Sequence, residues 1–471
     1  MPCAVSMACA ATVTGIDRVN AANPRFMTNS QHRFDFRSNA YAWGVVAMLC
    51  AGSMIGMLDR QLLILLVEPI KVSLGISDTQ ISLLHGFAVA IFYALLAVPL
   101  GRWADTGNRR NIIVVGALLF SLSTMAGGFA LSFGALFLTR LCVGIGEATL
   151  TPAGSSLIGD YLPPQKVGRA MGFFVGSSFA GSGLALVAIG AFLAWLSANP
   201  TVQFPVIGRP MDWQLVFIAA GLPGLVFAAA LLGLREPPRN DGLALAGGPA
   251  GSASMTEVIA FVRLHARLLV PVFVGLPILA AGQFGLNVWT PTFFIRTFGW
   301  TPAQIGPVFG LMVGLLSTSG VIVGGWLADR LLARGRIDAN LQVSMTAALI
   351  AAPFILAFPL VGSPTLSLML LGPVLFFGAM PFGAGPAAIP VLAPNQMRAQ
   401  LMAVYLLFGN LLGAGLGPWM IAAFTDTVLG DPQEIRFSIA FVGTGVILAG
   451  ASIVGLGARA MRRQAGSKKV E

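Results

Sequence analysis

From Tyr41 onward the chain is a succession of apolar runs interrupted by short clusters of charged, Pro, Gly or Asn residues. About 20 apolar residues make a helix long enough to cross a bilayer. Dividing the chain at those clusters predicts twelve spans, at 42–67, 78–100, 111–131, 134–158, 168–197, 212–234, 268–296, 302–327, 340–360, 366–391, 399–424 and 436–459. A Pro/Gly/Ser-rich stretch at 235–265, containing "REPPRNDGLALAGGPAGSAS", separates six spans from six and reads as a linker. The predicted fold class is an all-α membrane protein. It comprises a disordered tail at 1–40, six-helix bundles at 41–234 and 266–460, and a basic tail at 461–471.

The two halves carry a repeat. "GISDTQISLLHG" at 75–86 aligns with "GWTPAQIGPVFG" at 299–310, so that Gly75, Gln80, Ile81 and Gly86 meet Gly299, Gln304, Ile305 and Gly310 at an offset of 224. The same offset brings Ala104-Asp105 onto Ala328-Asp329. Duplicated halves imply pseudo-symmetric bundles with a cavity between them near mid-membrane.

Composition agrees with this reading: 56% of residues are hydrophobic and only 10% charged, too few charges to cover a soluble protein of 471 residues. Of the 28 Lys and Arg, 22 fall on the side of both predicted termini, whereas only Lys71, Arg209, Arg296 and Arg436 fall on the other. Both termini are therefore predicted to be cytoplasmic. Basic residues at a membrane face account for the net charge of +10 without a nucleic-acid partner. The four Cys and three His have no metal-ligand spacing, so no metal is expected, and His85 reads as a helix-end residue rather than a ligand. The Cys/Ala/Ser/Val stretch within the first 40 residues has no basic region before it, so a signal peptide fits poorly; with a later start as the alternative, the stretch from Met27 reads as a short cytoplasmic lead into the first span.

Apart from His85, four ionisable residues lie well inside predicted spans: Asp59, Arg60, Arg140 and Glu147. Charges in lipid are costly, so they face a cavity or one another. Asp59 lies about 16 residues past Trp43, or about 24 Å from the inner face at about 1.5 Å per residue. Arg140, on a span running the other way, comes out at about 21 Å in a core of about 30 Å. Glu147 follows two turns later on the same face, about 10 Å deeper. An arginine between two carboxylates at different depths is a proton-coupling device, because changing its partner changes proton occupancy. The alternative is a static ion-pair network fixing the first span to the fourth. Arg60, about 100° round the helix from Asp59, faces either the cavity or the outer interface.

The second half offers uncharged cavity candidates: Gln283, Asn287, Trp289, Ser317 to Ser319, Tyr405 and Asn410. A charged wall facing an uncharged one suits an amphiphile. "FFGAMPFGAGPAAIP" at 376–390 has the Gly/Pro density either of a bending helix or of close packing.

"GRWADTGNRR" after the second span, its weaker copy "GGWLADRLLARGR", and the six-plus-six arrangement resemble the major facilitator superfamily. More narrowly, "MLDRQLLILLVEPIK", "YALLAVPLGRWAD", "RLCVGIGEATLTPA", "TPTFFIRTFGWTPAQIG" and "GNLLGAGLGP" are similar to its Spinster-like branch. That resemblance implies a proton-coupled transporter of lysophospholipid or a similar amphiphile, working by alternating access, with Asp59, Arg140 and Glu147 as the coupling residues. It also implies a conformational latch. Gly101 allows close helix approach, Asp105 faces a helix N-terminus, Arg109 pairs with an acid such as Asp160, and Asp329 and Arg330 form the second copy.

The expected partners are the substrate, protons and the lipid bilayer. A monomer in the bacterial inner membrane is expected, with a proton gradient as energy source and no cofactor. Transport of a small hydrophilic organic anion or drug-like compound held by Arg140 is the rival within transport. A membrane enzyme is disfavoured because the spans contain no Ser/His/Asp set or phosphate-cradling loop. Intact coupling charges argue against a non-transporting sensor.

Overall fold

The structure, a computed structural model, describes residues 39–88, 103, 107–199, 211–237, 255–392, 394 and 397–467. Among these, helices are the only regular elements, and eleven are long and apolar enough to cross a membrane. In chain order, α1 is Asn39–Leu65, and α2 opens as Asp78–Ser82 and continues as a π-helical turn, Leu83–Phe87. The first bundle is completed by α3 (Arg109–Gly127), α4 (Phe133–Tyr161), α5 (Pro164–Ala198) and α6 (Asp212–Leu232). In the second bundle are α7 (Ala266–Phe298), α8 (Pro302–Ala333), α9 (Ala339–Ala357), α10 (Pro364–Ala384), α11 (Gln400–Leu429) and α12 (Pro432–Arg463). The rest of the second predicted span lies outside the described residues.

Two stretches outside the predicted spans are helical. The linker contains a helix, Met255–Leu264, and the final helix runs on to Ser467, into the stretch assigned to the basic tail. Neither segment needs apolar composition to be helical. Met, Glu and Arg favour helix as well as Leu does.

The repeat is structural. Gly75 and Gly299 each end a helix with left-handed φ, 63° and 68°, a conformation that disfavours any side chain. Two residues on, Ser77 and Thr301 each cap the next helix, and the caps close reciprocally on Gln80 and Gln304. The same turn chemistry therefore builds both corners. Gly86 and Gly310 follow at the same offset, and each lets its helix meet the opposite bundle at the backbone. A Cβ on Gly86 would stand 2.9 Å from Gly415 Cα on α11, and one on Gly310 would stand 2.6 Å from Gly183 O on α5. The halves thus join along α2–α11 and α5–α8, the small-residue packing typical inside a membrane.

One face carries the start of α1, the end of α12 and the start of the linker; it is called the terminal face, and the opposite one the far face. Large apolar side chains such as Leu184, Val226, Leu315 and Met369 are more than half exposed on the outside of the bundles. Lipid, unlike water, imposes no penalty on that surface.

Candidate functional site

Asp59 on α1 is buried against α3 and α4. One carboxylate oxygen accepts from Arg140 Nη1 at 2.8 Å and the other from the Thr124 hydroxyl. Arg140 is equally buried, its guanidinium 5.0 Å from the centre of the Phe217 ring. Its Nε and Nη2 have no hydrogen-bond partner among the described residues.

Arg60, the next residue on α1, turns to a different acid. Its Nε and Nη2 reach Oε2 of Glu147 on α4 at 2.9 and 2.7 Å, and Glu147 Oε1 is buried without a partner among the described residues. The Arg60 side chain is 29% exposed, whereas the Glu147 side chain is 7% exposed. The exposed part of Arg60 faces a central cavity of about 250 Å³ between the halves. That cavity is walled by α1, α2 and α5 on one side and by α7, α8, α10 and α11 on the other.

Arg60, Met57 and Ser178 also line a smaller chamber of about 90 Å³ inside the first bundle, where Glu147 sits. Arg60 is therefore the charged group shared by the acid's chamber and the central cavity. Toward the terminal face a third, largely apolar chamber of about 670 Å³ lies between α1 and α5 on one side and α8 on the other. Phe179 lines both this chamber and the central cavity, and stacks edge-on to Phe382 of the second bundle.

At the far face the halves are clamped by charge. Arg296 at the end of α7 is paired with Glu68 and Asp78 of the first bundle, each at 2.7 Å, and donates to Pro432 O at 2.9 Å. Asp78 is fully buried and also takes Lys71 at 2.7 Å. Beside it, Asp426 of α11 accepts from the Thr79 amide and hydroxyl at 2.8 and 2.6 Å. Among the described residues, every ion pair between the bundles lies at that face and holds the far side of the cavity shut.

The sequence profile of the Major Facilitator Superfamily matches residues 49–418, most of the chain. The chain belongs to the Major Facilitator Superfamily. It is a transporter, and the enzyme alternative falls away with that membership. A Mycolicibacterium smegmatis protein described as an MFS-type efflux pump is 28% identical, over 90% of this chain and 94% of its own. Protein spinster homolog 3 of Danio rerio is 26% identical, over 81% and 76%. A bacterial homologue of the human lysosomal transporter Spinster, crystallised inward-facing and unoccupied, superposes with a TM-score of 0.75 at 24% identity, over 90% of this chain and 96% of that one.

Several residues of the transporter stand where the sequence did not put them. Glu147 pairs with Arg60 rather than sharing Arg140, so the single three-residue set is two separate ion pairs. His85 is not at a helix end. It lies in the π-helical turn of α2 and lines the central cavity, as do Gln283, Asn287, Ser317 and Asn410. Trp289 is fully buried within the second bundle, its Nε1 donating to Pro418 O at 2.9 Å, and Tyr405 is not on the cavity wall.

At the terminal face, buried Arg109 bonds Asp160, Ser156 and Glu236, the last at 2.8 Å. Glu236 also accepts from the Arg110 amide at 3.0 Å, satisfying the open N-terminus of α3. Sequence reasoning passed over Glu236 as linker, although an acid directly after a predicted span is a usable signal. Asp329 and Arg330 are exposed, with Arg330 over the Trp326 ring at 5.2 Å, and they form no second latch among the described residues. Gly101 and Asp105 lie outside the described residues.

Proposed function

We propose that the chain is a proton-coupled secondary transporter that moves a single-chain anionic amphiphile of the lysophospholipid class by alternating access. One observation carries the reading: Arg60 is held by Glu147 on one side and opens to the central cavity on the other. While Glu147 is ionised it occupies the arginine. A proton on Glu147 cancels that attraction and leaves the guanidinium for an anionic headgroup, the ligand it binds best. Proton and substrate then reinforce each other's binding, and that mutual coupling is what a gradient-driven carrier requires. Asp59 and Arg140 form a second buried ion pair, sealed from the cavity, that ties α1 to α4 and whose loss frees α1 to move against α4.

The apolar chamber beside Phe179 supports an acyl chain in the same molecule. The Spinster-like motifs supply the lysophospholipid class. In this reading the terminal face, where basic residues concentrate, is cytoplasmic, and the transporter acts as a monomer in the inner membrane. It uses the proton gradient and no cofactor. The far-face clamp on Arg296 is the outer gate, and Arg109 with Asp160 and Glu236 stiffens the cytoplasmic rim. A second reading, transport of a small organic anion, draws support from the size of the central cavity, which holds such a molecule without the apolar chamber.

Uptake into proteoliposomes under an imposed pH gradient, with a panel of lysophospholipids and small carboxylates, tests the proposal. Uptake of lysophospholipids that collapses with the gradient is the expected result. A response to the carboxylates alone would replace the lipid with the small anion.

A further inference from the structure

Arg60, Gln61 and Ser182 aside, the polar residues around the central cavity fall into two groups. Asn287 and Asn410 donate their side-chain amides to carbonyls of their own helices, each at 2.9 Å, and Ser178 bonds Ser53 at 2.7 Å. Those three are committed to the fold. Gln283, Ser317 and His85 are different. Gln283 is 3% exposed, yet neither its Oε1 nor its Nε2 has a partner among the described residues. Ser317 Oγ, on a residue 5% exposed, and the buried His85 Nδ1 are likewise unpartnered among the described residues. All three residues line the cavity, from α7, α8 and α2, so the group spans both halves.

Buried polar atoms are nearly always paired, and leaving them open costs stability. Gln283 is also held in place, since its amide occupies the space that Gly378 of α10 leaves by having no side chain. Gln283 is thus fixed with its donor and its acceptor both unpartnered among the described residues.

We infer that Gln283, with Ser317 and His85, forms an uncharged subsite that reads a free hydroxyl on the substrate beside its anionic group. Charge and hydrogen-bond counting select the hydroxyl. A phosphate or carboxylate brings acceptors alone and so leaves Gln283 Oε1 without a donor. An ester brings no donor. A hydroxyl both donates and accepts, and so satisfies the amide oxygen together with one of the open donors. The inference rests on the proposed function and sharpens it: a lysophospholipid differs from its two-chain parent by having such a hydroxyl next to the phosphate-bearing carbon. Arg60 then reads charge on one wall, and Gln283 reads the hydroxyl on the other.

The test is equilibrium binding of 1-acyl-glycerol 3-phosphate and its 2-deoxy counterpart to the full chain in nanodiscs, with glycerol 3-phosphate and propanediol phosphate as the tail-less pair. The wild type is expected to prefer the hydroxylated lipid by at least about tenfold, because a site built to bond a hydroxyl rejects the analogue lacking it. Gln283→Leu is expected to narrow that ratio to within about twofold, and Ser317→Ala, a smaller change that spares packing, to narrow it several-fold. Equal binding of the two lipids by the wild type, or an unchanged ratio in both variants, overturns the subsite while leaving the lipid reading intact. A hydroxyl preference seen only with the tail-less pair overturns the lipid reading and keeps the subsite.

Discussion

Arg60 and Glu147 meet through one carboxylate oxygen: Nε and Nη2 converge on Oε2 at 2.9 and 2.7 Å, and Oε1 is left buried without a partner among the described residues. A proton therefore has a vacant position on the acid that does not collide with the guanidinium. Binding of lysophosphatidylglycerol, whose phosphodiester keeps one charge, is expected to tighten as pH falls, by up to about tenfold per unit while Glu147 titrates. Glu147→Gln should bind with the affinity of the protonated form at every pH. Isothermal titration across the acid-to-neutral range measures both.

Asp59 is the acid paired with Arg140, and both are almost wholly buried. Asp59→Asn alone should destabilise the fold by roughly 3 to 5 kcal/mol, because it strands a buried cation. Asp59→Asn with Arg140→Gln removes both charges and should recover most of that loss while still failing to couple transport to protons. Thermal unfolding in detergent separates the two effects.

At the far face, Arg296 joins two acids across the halves. Arg296→Ala should shift the population toward a far-face-open state and leave Asp78 with Lys71 inside its own bundle. In a cysteine-free background, a cysteine at Asn287 on the cavity wall reports this. Its labelling by an impermeant maleimide added at the far face should accelerate by about tenfold, as expected when roughly 1.4 kcal/mol of bias is removed. An unchanged rate would show that the clamp does not hold the gate.

Arg109 joins the end of α4 to the start of the linker through Asp160 and Glu236. Arg109→Ala leaves both acids facing each other and should cost about 3 kcal/mol, whereas Glu236→Gln, which keeps acceptors for the α3 amides, should cost about 1 kcal/mol. Melting temperatures of the two variants check that order.

Much of this arrangement was legible because helix geometry is regular. Rise per residue alone placed Asp59 level with Arg140, and their side chains meet in the structure at 2.8 Å. The 224-residue offset foretold paired corners because a capping residue and a left-handed glycine are local devices. Azimuth was harder. Nothing local says how far α1 and α4 rotate about their axes, so the sequence does not show that Glu147 takes Arg60 while Arg140 keeps Asp59. His85 looked terminal because it follows the span boundary closely, yet seven residues from Asp78 are two turns, about 10 Å into the membrane. The far-face clamp joins Arg296 to residues more than 200 positions away, and no periodicity encodes such a pairing. Trp289 looked like a cavity residue by composition, but packing within its own bundle decided its place.

The central claim is that a proton on Glu147 and an anionic lipid at Arg60 travel through one coupled cycle. Proteoliposomes loaded with a pH-sensitive dye, kept without an initial gradient and then exposed to lysophosphatidylglycerol, test it directly. The wild type should show a lipid-driven pH change inside the vesicles, and Glu147→Gln should move lipid down its gradient with no pH change. A pH change of wild-type size in Glu147→Gln, or lipid movement by the wild type with none, would contradict the account.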